Sequence, residues 1–170
     1  MLGILFRRLT TDAASGAALF EGLTAEARRT TWYTKGGVPD TLDGRFAALA
    51  TVVALALVRL ERDGKDGNRL SVALTERFIE VMESEHRELG LGDPTLGKTV
   101  RKLVGMLARR TELWRSTSAG TTDWDQATRE SLYKGEIAAD GLSHSAGALK
   151  LLCDRLAESS LASLERGRIA

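Results

Sequence analysis

The chain has 170 residues, 43% hydrophobic and 28% charged, the make-up of one soluble globular domain. Lys and Arg number 24 against 23 Asp and Glu, so any anion-binding surface must come from clustering. One cysteine, Cys153, excludes an internal disulfide, and with only His86 and His144 as histidines neither a metal nor another cofactor is expected.

"MLGILFRRL" places its arginines after the apolar residues, the reverse of a secretory signal. It reads as a short N-terminal segment, 1–11, ahead of a single helical domain over 12–170. Prolines are confined to Pro39 and Pro94, and no stretch alternates with a period of two. These features predict an all-α bundle of about six helices, near 12–30, 42–63, 69–89, 94–116, 123–134 and 142–166.

Trp32 and Tyr33 stand just before "GGVPD". They are suited either to anchoring that loop on the bundle or to binding a partner. Next, Pro39, Asp40, Thr41, Asp43, Arg45 and Phe46 form a tight lead into the second helix. Asp40, Thr41 or Asp43 is expected to cap it, and Arg45 to make an ion pair or a partner contact. The run Phe46–Val58 is apolar on nearly every side, which predicts a central helix. It is shorter than the roughly 20 residues that cross a bilayer. The default location is therefore cytoplasmic, with peripheral attachment to the inner membrane as a further expectation.

In the 69–89 helix, Leu70, Leu74, Phe78, Val81 and Leu89 share a face, with Val72, Ile79 and His86 on a second line. It is followed by "GDPTLGKT", Gly92 to Thr99, which spells the phosphate-binding pattern G-x-x-x-x-G-K-T. That pattern needs a strand before it, whereas the preceding residues are helical. Gly90 suits a helix C-terminus, Asp93 an N-cap and Pro94 a first helical position. The motif is thus expected to be a helix–helix junction, without bound nucleotide.

The 94–116 helix carries Leu96, Val100, Leu103, Val104, Leu107 and Trp114 in one sector and Lys98, Arg101, Lys102 and Arg109 on the opposite face. That basic stripe is the candidate contact for an acidic protein or an anionic surface. Arg110, at the edge of the apolar sector, is expected to snorkel or to pair with an acid such as Glu85. Ser143 is expected to cap the last helix, and Cys153 to lie on its apolar line. No residues assemble into a catalytic motif, and the chain reads as a non-enzyme.

Three stretches match a known pattern in order. "WYTKGGVPDTLDGRFAAL" (Trp32–Leu49) carries an aromatic pair and then V-P-D-T-x-D-G-R-F. "HRELGLGDPTLGKTVRKLVGMLARR" (His86–Arg110) includes Arg87, Glu88, Gly90, Gly92 and Asp93 of a second signature. "RESLYKGE" (Arg129–Glu136) forms a third block. Together they resemble the ubiquinol–cytochrome c chaperone family. The resemblance implies an assembly factor for ubiquinol–cytochrome c reductase that binds newly made cytochrome b or another early subunit near the membrane. It also implies the membrane surface, the ribosome and a small helper protein as further partners, and no small-molecule substrate. The alternative from the residues alone is a helix-turn-helix nucleic-acid binder built on the 69–89 and 94–116 helices, against which the near-zero net charge weighs.

Overall fold

A computed structural model describes residues 2–88 and 96–170, with side chains within those spans except at 2–11, 86–88, 96 and 99. Regular structure among the described residues is helical throughout. Six longer helices are α1 (Leu2–Ala27), α3 (Leu42–Leu60), α4 (Gly64–Glu88), α5 (Leu96–Ser118), α6 (Trp124–Leu132) and α7 (Ala139–Glu158). Two single-turn helices, α2 (Thr31–Thr34) and α8 (Leu161–Leu164), complete the order.

Helix α3 is the axis of the bundle, touched by α1, α4, α5, α6 and α7. Of its three possible caps, Thr41 does the capping: its Oγ accepts from the Gly44 N–H at 3.2 Å. Asp43 in the first turn adds a negative charge where the helix dipole is positive. Gly44 is required there for space. A Cβ at that position would fall 1.9 Å from the Pro39 carbonyl oxygen, so only glycine lets the lead-in segment close on the helix.

Ala48, Ala50, Val52, Val53, Ala54, Leu55, Ala56 and Leu60 are buried, as a central helix requires. The apolar sector is nevertheless not sealed at its start. Leu42 is 59% exposed and Phe46 only half-buried, its ring centroid 6.1 Å from that of Phe78. The first turns of α3 therefore form one wall of an open surface feature.

Several boundaries differ from the sequence expectation. Helix α1 begins at Leu2 instead of residue 12, since no proline interrupts the opening stretch. The gap expected between the 42–63 and 69–89 helices shrinks to a short 3-10 turn, Glu61–Asp63, and a single left-handed residue, Gly64, at φ 58°. Helix α4 starts at that glycine. The helix expected to end at 116 runs on to Ser118. The last helix splits: α7 ends at Glu158 and Ser160 caps α8 by accepting from Ser163 N–H. Ser143 lies inside α7 instead of capping it, because the helix starts at Ala139.

Leu70, Leu74, Phe78 and Met82 line the buried side of α4, while Val72 is 50% exposed, so the second apolar line is only partly covered. On α5, Leu103, Leu107 and Trp114 are buried and Val104 faces outward. Trp114 meets Trp124 of α6 at 5.5 Å between centroids. Cys153 is half-buried, and burial raises its thiol pKa.

One buried charge joins α3 to α7. The Arg59 guanidinium donates to the carbonyls of Leu156 at 2.8 Å and Ser159 at 2.6 Å, and to Asp63 at 2.5 Å. The last carbonyls of a helix lack partners within it, and Arg59 supplies them for α7.

Candidate partner-binding groove

The open start of α3 faces two adjoining trenches of about 580 and 500 Å³. Leu42, Phe46, Met82 and Glu85 border both, so the trenches run on from one another along the first turns of α3. In the larger trench, Leu103 and Met106 of α5 and Leu132 of α6 add apolar surface. Phe20 of α1, Leu49 and Val81 do so in the smaller one. Methionine suits such a surface because its unbranched, polarisable side chain adapts to varied partners.

The lead-in segment is fixed from three sides. Trp32 is buried and its indole N–H donates to the Glu26 carbonyl at 2.8 Å, so it takes the anchoring role of the two foreseen for it. Tyr33 is half-buried, donates to the Ala27 carbonyl at 3.1 Å and borders the smaller trench. Tyr133 reaches back from beyond α6: its hydroxyl lies 2.5 Å from the Gly36 carbonyl and 2.7 Å from Ser145 Oγ. With one phenolic proton, Tyr133 donates to the carbonyl and Ser145 donates to Tyr133.

Charged pairs stand around the rim. Arg45 pairs with Asp40 at 2.8 Å, and Lys134 with Asp43 at 2.6 Å, all four exposed. The Lys134 ammonium, first by its hydrogen bond and then by its charge, holds the Asp43 carboxyl below its ordinary pKa. Exposed pairs of this kind contribute little to stability. They do fix where charge sits beside the groove.

Lys98, Arg101, Lys102 and Arg109 are all exposed, as one stripe along α5, and none forms an ion pair with a described residue. Only Lys102 borders the groove; the other three extend the basic surface away from it. Of the two alternatives for Arg110, pairing with Glu85 is not the one found. Glu85 is exposed on the rim, and Arg110 donates to the Ser131 carbonyl at 3.1 Å. Burial, and then the charge of neighbouring Arg109, lower its pKa.

Gly90, Gly92 and Asp93 lie outside the described residues, as does Pro94. Arg87 and Glu88 close α4, with side chains outside the description. Lys98 and Thr99 of the phosphate-loop pattern are in the first turn of α5, and the element before the pattern is helix α4, in place of the strand a phosphate loop needs.

Sequence reasoning missed Met82, Met106, Leu132, Tyr133 and Lys134 as site residues. Tyr133 and Lys134 do belong to the third matching block, and that was the available signal. What the fold adds is convergence. Trp32–Leu49 supplies one wall, Lys102 to Arg110 a second and Glu130 to Lys134 a third. The three stretches that carry the resemblance meet at one groove.

A family model described as ubiquinol-cytochrome C chaperone matches residues 34–169. No curated protein matches the chain. Among solved structures, the crystal structure of the Cbp3 homolog from Brucella abortus is similar at a TM-score of 0.80 and 28% identity, covering 100% of this chain and 96% of that one.

Proposed function

The chain belongs to the ubiquinol–cytochrome c chaperone family, and from that premise we propose that it binds newly made cytochrome b, or another early subunit of ubiquinol–cytochrome c reductase, through the groove beside α3. Family membership makes it an assembly chaperone for that complex and leaves the nucleic-acid reading without support. The observation that carries the finer reading is the convergence of all three signature stretches on one open, apolar-lined surface. Binding grooves are characteristically concave and apolar-lined with a few polar groups, and a membrane protein awaiting its partners offers apolar segments to match.

Among the described residues no helix is long and apolar enough to cross a membrane. The basic stripe Lys98, Arg101, Lys102 and Arg109 supports attachment at an anionic membrane surface, each cation near such a surface contributing about 1 kcal/mol. Lys102 belongs to both surfaces, so a client emerging from the bilayer can meet the groove without the stripe leaving the headgroups. The ribosome and a small helper protein remain part of the proposed partner set through the family resemblance. No catalytic step is assigned.

A photo-crosslinking residue placed at Leu42 or Met106 tests the client. In native membranes both positions should capture cytochrome b or another reductase subunit, while the same residue at Leu151, which is 60% exposed on α7, should not. Capture from Leu151 alone would contradict the groove. The stripe is tested separately, by replacing its four cations with glutamate. All four are exposed, and substitutions at such sites usually change stability within about 0.5 kcal/mol. The variant should keep its circular dichroism spectrum yet lose most of its co-flotation with anionic vesicles. The wild type should lose the same binding as salt rises.

A further inference from the structure

Arg110 enters the larger trench from α5. Its Nη2 donates to the Ser131 carbonyl, but its Nε is buried with no hydrogen-bond partner among the described residues. Ser131 Oγ, also at the trench, is in the same condition, and Ser131 is 2% exposed. Arg110 is half-buried, and a guanidinium partly withdrawn from water with no described acid beside it is unfavourable unless something supplies the acceptor. The other charges at this trench are better matched. Lys134 is paired with Asp43, and Lys102, Glu85 and Glu130 are solvent-exposed. The trench thus offers one half-buried positive charge that no described acid compensates.

We propose that the groove receives an apolar polypeptide segment carrying one acidic side chain, whose carboxylate accepts from the Arg110 guanidinium. This rests on the client-binding reading above and names the chemistry by which the client is chosen. A polypeptide is favoured over a compact ligand because the two trenches continue into each other along Leu42, Phe46 and Met82. A single carboxylate is favoured over a phosphorylated headgroup because Glu85 and Glu130 at the rim repel additional negative charge. Arginine's planar fork fits a carboxylate better than a point charge does. Within an apolar segment an acid is costly to bury, and an arginine waiting in the groove offsets that cost selectively.

The test uses fluorescence anisotropy on the full chain with dye-labelled apolar peptides. One carries a central aspartate, one asparagine at the same place, and one asparagine with a free C-terminal carboxylate where the first two are amidated. The aspartate peptide should bind the wild type about tenfold more tightly than the amidated asparagine peptide, the ratio expected of one charge-assisted hydrogen bond. Arg110→Met, verified as folded by circular dichroism, should abolish that ratio, and Arg110→Lys should restore part of it. Equal affinity of the two amidated peptides for the wild type would overturn the inference while leaving groove binding intact. Preference for the free C-terminus, or displacement of the peptide by laurate at equal affinity, would reassign the site to a chain end or a fatty acid and likewise overturn it. If neither amidated peptide binds, and Leu42→Asp leaves client crosslinking unchanged, the groove reading itself fails. The wild-type comparison of aspartate with asparagine stands even where Arg110→Met does not fold.

Discussion

Arg59→Met should lower the unfolding free energy by about 3–5 kcal/mol, the cost of breaking a buried ionic network by removing one partner. The Arg59 side chain is only 5% exposed and serves three acceptors at once. Methionine retains most of the volume but strands the Ser159 carbonyl, leaves the Leu156 carbonyl with only the Ser159 N–H, and leaves Asp63 without its cation. Arg62 lies 3.5 Å from the Ser159 carbonyl, too far to replace the lost bonds. Arg59→Lys should recover only a part, since one ammonium does not reproduce a three-way fork. For a chain of this length the melting temperature should fall on the order of 10 °C. Urea titration of both variants checks this, and an unchanged midpoint for Arg59→Met would show that α7 holds its end without the bridge.

Much of the architecture was legible in the sequence because helical periodicity reports which face of a segment is apolar. The run Phe46–Val58 read as a central helix, and α3 is touched by five others. The stripe on α5 read as one exposed face, and it is. Thr41 was one of three caps consistent with the sequence, and only the backbone at Gly44 selects it. Periodicity does not report what covers a face. Leu42 and Val72 sit on apolar lines, yet the described residues leave them 59% and 50% exposed. The Arg59 bridge across to residues 156 and 159 and the Tyr133 bond to Gly36 join distant parts of the chain. No local pattern encodes them. The groove was hidden for the same reason. Its walls are short pieces of three stretches far apart in the chain, and their meaning as one site comes from being brought together.

Loss of this protein should remove most of the assembled ubiquinol–cytochrome c reductase while leaving other respiratory complexes near their normal levels. An assembly chaperone acts on its client before the complex is complete, so its absence should lower the amount of enzyme and not the turnover of each enzyme that forms. Leu42→Asp should reproduce much of that loss. Leu42 is the first residue of α3 and is exposed, so an acid there suits the helix terminus and leaves the core untouched, yet it places a charge at the meeting of the two trenches.

The most direct measurement is haem b absorbance together with ubiquinol–cytochrome c reductase activity in membranes from a strain lacking this protein, complemented with the wild type or with Leu42→Asp. The expected result is a deep, parallel fall of both signals in the deletion strain, full recovery with the wild type and poor recovery with a folded Leu42→Asp protein. Normal haem b and reductase activity in the deletion strain would contradict the assembly role.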